Sequence, residues 1–383
     1  MNRQGSNAPP VSSHQTCSIG QVRQIVRHHL QALWRRPSEA CVLPPLMIWG
    51  PPGVGKSAVI YQVCAEEGIE FVDVRLAQRE PVDIRGLPVP RDDGVHWLVS
   101  AEWPRGGRGI IFFDELTASD RSLQVAAYEF ILDRRLGDLY RVPDGWYLCA
   151  AGNRTADRAV ALTMSSALSN RFCHLDVEVE LEDWVAWATA RGVHPQVIGF
   201  IRFQPHLLFA MEGDLQQGWP SPRSWERVGL ELEQAEQDGL DEILLRAIVQ
   251  GLVGPAATTE FFAYRAAATE LPMVEAMLKG NAPLEIPERP DQRYALCAAA
   301  AHYASRDTAL LPGLLELTLS LTSDFAALCV MDYLHGGGEH QVAERARTLF
   351  ALPTFEDWRR RHGPTFRARF VSVGDTPPTD PSR

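Results

Sequence analysis

The stretch PLMIWGPPGVGKS, residues 45–57, decides the fold of this chain of 383 residues. Its first five residues form an apolar run with the length of a buried strand. The next eight, GPPGVGKS at 50–57, match the pattern G-x-x-x-x-G-K-[ST] in full, and residues 57–67 continue with helical spacing. A strand, a glycine-rich loop and a helix in this order predict a loop whose main-chain N–H groups bind phosphate.

The residue types in the loop fit that chemistry. Glycines allow the dihedral angles that turn main-chain N–H groups inward. Lys56 supplies a point charge for the β- and γ-phosphate oxygens, and the Ser57 hydroxyl is a ligand for Mg²⁺. The predicted nucleotide contacts are Gly50, Pro51, Pro52, Gly53, Val54, Gly55, Lys56, Ser57 and Ala58. The expected ligands are ATP and Mg²⁺; the sequence leaves the choice between ATP and GTP open.

A second apolar run, residues 110–113, is followed directly by two adjacent acids, Asp114 and Glu115. A buried parallel strand delivers the residues at its carboxyl end to the edge of the sheet where ligands bind. We expect Asp114 to bind the nucleotide's Mg²⁺ through water and Glu115 to polarise the attacking water. Downstream of a complete phosphate loop, an apolar strand that ends in Asp-Glu favours a hydrolytic site over an ordinary surface turn.

Further strands are predicted at residues 70–75, 146–151 and 174–177. They alternate with helices at 19–34, 57–67 and 119–135, with Ser18 and Ser119 as N-caps. This alternation predicts an α/β fold with a parallel sheet and helices on both faces. Residues 86–99 interrupt it with two short strands around an Asp93-Gly94 turn, which predicts an inserted hairpin.

From about residue 180 only helical patterns remain, so an all-helical lid and a C-terminal helical region are expected. The predicted helices are 181–191, 196–203, 224–237, 240–252, 258–270, 294–305, 310–334 and 341–351. The predicted organisation is a disordered tail at 1–17, an α/β domain at 18–178, a lid at 179–280, a helical extension at 281–373 and a disordered tail at 374–383.

Composition limits the function classes. The formal net charge of −11 argues against broad, sequence-independent binding to nucleic acid, which needs a dense positive surface. Seven cysteines without C-x-x-C spacing indicate a reduced intracellular protein. No apolar run approaches the roughly 18 residues of a membrane span, and the polar N-terminus lacks a signal-peptide pattern, so a cytoplasmic location is expected.

The chain resembles AAA+ ATPases over residues 18–240, and within them the MoxR-like and dynein-related branch. The motifs that carry the resemblance are GPPGVGKS at 50–57, IIFFDE at 110–115, CAAGN at 149–153, SNRF at 169–172 and SPRSW at 221–225. The hairpin near 86–99 is similar to the insertion in the second helix that marks this branch.

The resemblance implies roles for three further residues. Asn153 corresponds to sensor 1, which orients the water between Glu115 and the γ-phosphate. Arg171 corresponds to the arginine finger that acts on a neighbouring subunit's nucleotide, with Arg154 and Arg158 as rivals in the same segment. Arg223 corresponds to sensor 2, at the start of a lid helix. A planar, permanently charged donor suits the charge that develops on a γ-phosphate.

The resemblance also implies a homo-oligomeric ring, expected to be a hexamer, that remodels a client or adaptor protein, often one with a von Willebrand factor A domain. One alternative is a nucleotide-dependent switch or scaffold with slow hydrolysis. Another is a nucleic-acid-directed AAA+ ATPase, which the acidic balance disfavours. The sequence leaves the client, the ring size and the role of residues after about 255 open.

Overall fold

The computed structural model describes residues 15–154, 164, 169–211, 217–271 and 273–372. The chain divides into two compact units, residues 1–178 and 179–383. The first unit is α/β and the second is helical throughout its described part.

A parallel six-stranded sheet forms the centre of the first unit, as the alternating pattern predicts. Its strands, in chain order, are β1 Thr16–Cys17, β2 Leu46–Trp49, β3 Glu70–Arg75, β6 Gly109–Asp114, β9 Trp146–Gly152 and β10 Cys173–Val177. Their order across the sheet is β1-β10-β2-β9-β6-β3. The predicted α/β fold class is therefore confirmed.

Two antiparallel hairpins accompany the sheet. The predicted insert is β4 Leu87–Arg91 with β5 Gly94–Leu98, which pair from Leu87 opposite Leu98 to Arg91 opposite Gly94. The second is a short pair, β7 Arg135–Leu136 with β8 Tyr140–Arg141, which the sequence analysis does not predict.

The helices of the first unit are α1 Ile19–Arg35, α2 Lys56–Glu67, α3 Pro81–Arg85 and α4 Arg121–Asp133. Helix α1 begins with the predicted Ser18 cap: the Gln21 N–H donates to Ser18 Oγ at 3.2 Å, and the Ser18 N–H donates to Gln21 Oε1 at 3.0 Å. These reciprocal bonds satisfy two main-chain donors that would otherwise lack a partner.

Two predictions at element ends are wrong. The N-cap of α4 is Asp120, whose carboxylate accepts from the N–H groups of Ser122 and Leu123 at 2.6 and 3.2 Å. Ser119 is buried one residue before that N-cap, and its hydroxyl donates to the Leu116 carbonyl at 3.0 Å instead. Thr16 and Cys17, assigned to a disordered tail, pair with β10 as a strand, since an open sheet edge offers them main-chain partners.

The apolar run 110–113 lies in a strand in the interior of the sheet. Strand β6 pairs with β9 on one side and β3 on the other, and all four residues are fully buried. A parallel strand covered on both faces has no solvent side, which is why its sequence is continuously apolar. The burial holds the end of β6, and thus Asp114, in a fixed position.

The second unit is helical. Its helices are α5 Leu181–Arg191, α6 Pro195–Phe203, α7 Pro222–Asp238, α8 Glu242–Thr269, α9 Val274–Leu278, α10 Pro290–Arg306, α11 Leu311–Leu319, α12 Ser323–His335, α13 Glu339–Phe350 and α14 Phe355–Ser372. Among the described residues, no helix is both long and apolar enough to cross a lipid bilayer. The division of this unit into a lid and an extension near residue 281 stays a prediction.

Three helical predictions change in the structure. The single helix expected at 310–334 is two helices, α11 and α12, because the chain turns at 320–322 and restarts after the extended residue Thr322. The predicted helices 240–252 and 258–270 are the two arms of α8, which meet at Gly254, with a left-handed φ of 79° before Pro255. Helix α14 is missed because its sequence is highly charged and contains Pro364, so its buried residues, among them Trp358, form no clear apolar pattern.

A buried ion pair joins three helices of this unit. Arg202 on α6 donates to Asp332 on α12 at 2.6 Å and to Glu182 on α5 at 3.1 Å, and both Arg202 and Asp332 are almost fully buried. Burial raises the pKa of the Asp332 carboxyl, and the Arg202 charge opposes that rise. A charge pair without access to water specifies one packing of these helices, because either partner alone would be costly to bury.

Gly109, the first residue of β6, tests the packing of the sheet. An added Cβ there would lie 2.5 Å from the Glu70 carbonyl oxygen and 2.5 Å from the Trp146 ring. We expect Gly109→Ala to lower the free energy of unfolding by about 1–3 kcal/mol, the usual cost of overpacking. Gly106→Ala is the matched control, since its Cβ would meet open space, and should stay within about 0.5 kcal/mol. Urea unfolding measures both; an equal effect of the two substitutions would contradict the packing of β3, β6 and β9.

Candidate functional site

Three strand ends and one helix start converge at the carboxyl edge of the sheet. Strand β2 ends at Trp49 and leads through residues 50–55 into α2, which starts at Lys56. Strand β9 ends beside it, and the Gly50 N–H donates to the Gly152 carbonyl at 3.3 Å. Strand β6, next to β9, ends at Asp114. Ligands of open parallel sheets bind at this edge.

The loop 50–55 has the conformation that its glycines were expected to allow. Gly53 and Gly55 have φ angles of 81° and 102°, in the left-handed region that a side chain disfavours. Gly55 is the N-cap of the twelve-residue helix α2 and offers no side-chain acceptor to the first N–H groups. A helix start without a side-chain cap, beneath a glycine loop, is suited to bind an anion.

The Lys56 ammonium lies at the centre of this arrangement and is only 8% exposed. It donates to the carbonyl oxygens of Gly50 and Pro51 at 2.6 and 2.9 Å. Its third partner is the side-chain oxygen of Asn153, at 3.1 Å. The structure thus brings together two predicted site residues that are 97 positions apart. A buried ammonium surrounded by oxygen atoms is suited to bind phosphate oxygens in the same region.

Ser57 and Asp114 form the second contact of the site. The Ser57 hydroxyl donates to one carboxylate oxygen of Asp114 at 2.5 Å, and the other oxygen accepts from the Glu115 N–H at 2.9 Å. Mg²⁺ binds hydroxyl and carboxylate oxygens and fills its remaining positions with water and phosphate. The described residues contain no cluster of three His, Cys, Asp or Glu side chains, a set that this kind of Mg²⁺ site does not need. Ser57 and Asp114 therefore fit the predicted ion.

Glu115 has an unusual main-chain conformation. Its φ is 56°, one of two positive φ values among the described non-glycine residues, and its side chain is exposed. The next residue returns to the sheet, since the Leu116 N–H donates to the Ala151 carbonyl at 2.9 Å. Residues other than glycine that adopt left-handed main-chain angles cost free energy, and they concentrate at functional sites. The conformation holds Glu115 at the sheet edge directly beside Asp114.

Two residues near the acids were not identified from the sequence. Arg75, the last residue of β3, lies opposite Asp114 in the register. The hydrogen bond that Arg75 donates to Asp73, and then the charge of that carboxylate, raise the pKa of Arg75, and the charges of Asp114 and Glu115 add to the rise. Thr117 is 1% exposed and bonds to the main chain of Asn153. No local sequence signal marks either residue, because each contact joins segments that are far apart in the chain.

The candidate arginines lie at different places. Arg154 follows Asn153 at the carboxyl edge and pairs with Asp176 at 2.7 Å. Arg171 is exposed and precedes β10, whose five residues span roughly 16 Å at about 3.3 Å per residue. It therefore lies at the amino edge of the sheet, away from Lys56 of the same chain. Arg158 is outside the described residues.

Arg171 lines a cavity of about 280 Å³ at that amino edge. Cys41, Pro45 and Arg134 are among its other walls. The Arg134 side chain already has main-chain partners, because it donates to the carbonyls of Pro143 and Trp146 at 3.1 and 2.8 Å. Arg223 belongs to the second unit, where it is an exposed residue in the first turn of α7.

Comparison with known proteins agrees with the site. Residues 46–129 match the profile of the family described as AAA, ATPase family associated with various cellular activities. The matched range contains the phosphate loop and the acidic strand end, but not Asn153, Arg171 or Arg223. No curated protein matches the sequence.

The chain also shows weak likeness to solved structures. One is NtrX from Brucella abortus, with 16% identity, coverage of 88% of this chain and 68% of that chain, and a TM-score of 0.36. Another is the RuvB Holliday junction branch migration motor of Thermotoga maritima, with 13% identity, coverage of 86% and 87%, and a TM-score of 0.32.

Lys56 provides the direct test of nucleotide binding. The chain has only two lysines, and the other, Lys279, forms a surface pair with Glu275 in the second unit. We expect Lys56→Ala to weaken binding of Mg-ATP roughly tenfold to a hundredfold, as loss of a charge-assisted hydrogen bond worth about 1.5–3 kcal/mol predicts. Titration of a fluorescent ATP analogue measures the affinity, and Lys279→Ala should bind like the parent. Equal affinity of Lys56→Ala and the parent would contradict the assignment of the phosphate site.

Proposed function

We propose that this protein hydrolyses ATP, with Mg²⁺, at the carboxyl edge of its parallel sheet. The observation that carries the proposal is the convergence of Lys56, Ser57, Asp114 and Asn153, which come from three separate segments of the chain. The match of residues 46–129 to the AAA ATPase family supports the same activity. In the proposed complex, the loop 50–55 and the start of α2 bind the phosphates.

Each side chain then has a defined task. Lys56 exchanges its loop carbonyl partners for phosphate oxygens and neutralises their charge. Ser57 and Asp114 hold Mg²⁺, Asp114 through water. When bound, Mg²⁺ neutralises charge on the phosphate oxygens. Glu115 accepts a proton from the attacking water, a role that an exposed carboxylate beside the metal-binding acid can perform.

Asn153 is proposed to orient the attacking water. Its side-chain oxygen already accepts from Lys56, so the amide lies beside the group that contacts the γ-phosphate. The amide is neutral and can accept from one partner and donate to another, which suits a residue that positions water without removing its proton.

The position of Arg171 supports action between subunits. It is exposed at the amino edge of the sheet, and the phosphate loop of the same chain lies at the opposite edge. A second copy could bring its phosphate loop to Arg171, and repetition of such a head-to-tail contact closes a ring. Arg154 is a poorer candidate because it pairs with Asp176 of its own chain. Arg223 is proposed to act as sensor 2.

The proposed ring, expected to be hexameric, is cytoplasmic and uses hydrolysis to remodel a client or adaptor protein, in the manner of the MoxR-like branch. The insert β4–β5 supports a contact role, since Val95, Trp97 and Leu98 are between 46% and 61% exposed. Exposed apolar side chains of this size on a hairpin favour protein contact. A partner with a von Willebrand factor A domain is the client class that the resemblance implies.

Glu115→Gln separates binding from hydrolysis. The amide keeps the size of the side chain but cannot accept the proton, so we expect turnover to fall about 10²- to 10⁴-fold while Mg-ATP affinity changes little. Phosphate release and analogue titration measure the two quantities. The control is Glu260→Gln, at an exposed position of α8, which should match the parent. Retention of full turnover by Glu115→Gln would contradict its role as the base.

Arg171→Ala tests the action between subunits. We expect this variant to bind Mg-ATP but to lose about 10³-fold or more in turnover, as other phosphoryl-transfer enzymes do without their arginine finger. A mixture of Arg171→Ala with Lys56→Ala, which lacks the phosphate contact but retains Arg171, should regain part of the turnover. Neither variant alone can do so, since each lacks one half of the proposed junction. A mixture no more active than its separate components would exclude this arrangement.

A further inference from the structure

We propose that Thr117 is a positioning residue for hydrolysis, which acts by holding the main chain of Asn153 in place. The inference rests on the proposed function, because Asn153 is the residue expected to orient the attacking water. Thr117 itself contacts neither Lys56 nor Asp114 in the described hydrogen bonds, so its effect would pass through Asn153.

One hydroxyl holds both polar main-chain groups of Asn153. Thr117 Oγ1 donates to the Asn153 carbonyl at 3.2 Å and accepts from the Asn153 N–H at 3.2 Å. Both groups lie past the end of β9, where the ladder of the sheet no longer satisfies them. Thr117 is 1% exposed, so without the hydroxyl these groups would lose a partner in a place with little water.

Packing fixes the direction of that hydroxyl. A Cβ at Gly152 would lie 2.8 Å from Thr117 Oγ1 and 2.9 Å from its methyl carbon, so the side chain rests on the backbone of the residue before Asn153. Threonine has a branched Cβ, which restricts its rotation about χ1. The close approach and the stiff side chain together leave the hydroxyl one orientation toward Asn153.

The contact between Thr117 and Asn153 also connects the two proposed catalytic residues, Glu115 and Asn153, to each other. Thr117 follows Glu115 by two positions, and the intervening Leu116 N–H donates to the Ala151 carbonyl at 2.9 Å. Three hydrogen bonds therefore tie the segment that carries Glu115 to the segment that carries Asn153. The separation between the base and the water-orienting amide is set by these bonds, and reaction rates depend strongly on such separations.

Thr117→Val and Thr117→Ser test the inference. Valine keeps the shape and removes the hydroxyl, so we expect kcat to fall roughly tenfold to a hundredfold, while the affinity for a fluorescent ATP analogue stays within about twofold of the parent. Serine keeps the hydroxyl and should restore kcat to within a few-fold of the parent. Ser119→Ala is the matched control, since it removes another buried hydroxyl from the same segment that bonds to Leu116 and not to Asn153.

Amide hydrogen exchange gives a readout that does not need turnover. The Asn153 N–H should exchange faster in Thr117→Val than in the parent, and Thr117→Ser should retain its protection. Unchanged kcat in Thr117→Val, an equal loss in Ser119→Ala, or a Ser variant as impaired as the Val variant would overturn the inference. If the parent itself hydrolyses no ATP, the proposed function fails. If the Asn153 N–H exchanges at the same rate in Thr117→Val as in the parent, Thr117 does not hold Asn153 in place, and the inference fails on its own.

Discussion

The ammonium group of Lys56 is the contact on which the rest of the site depends. It is nearly buried, and it links the phosphate loop at Gly50 and Pro51 to the end of β9 at Asn153. A buried cation must have oxygen partners, since an unpaired charge away from water is very costly. The same requirement that orders these segments makes the position favourable for the oxygens of a phosphate group.

The main chain around this contact is held in conformations that ordinary residues avoid. Gly53 and Gly55 adopt left-handed main-chain angles in the loop, and Glu115 adopts them although its Cβ makes them unfavourable. The surrounding hydrogen bonds, from Glu115 to Asp114 and from Leu116 to Ala151, hold the Glu115 turn in place. Strain of this kind persists only where neighbouring structure over-determines it, and here that structure is the buried part of β6 and β9.

A parallel sheet separates the proposed functions of its two edges. Residues that follow the strands, among them Asp114 and Asn153, collect at the carboxyl edge, whereas Arg171 precedes β10 at the other. One chain therefore cannot bring its own Arg171 to its own phosphate loop without breaking β10. The distance between the edges gives the proposed assembly a physical basis, because a site that includes Arg171 needs a second copy of the chain.

The sequence alone determined the α/β fold, the phosphate loop and the acidic strand end, because these depend on local patterns: an apolar run, a glycine spacing, two adjacent acids. It also indicated the hairpin insert and the Ser18 cap, which are equally local. Only the tertiary structure decided the cap at Asp120, the break within 310–334 and the buried anchor of α14, where burial and neighbouring segments outweigh local preference. It alone brought Arg75 beside Asp114 and Thr117 against Asn153, since contacts between residues far apart in the chain exist only once the sheet has ordered its strands.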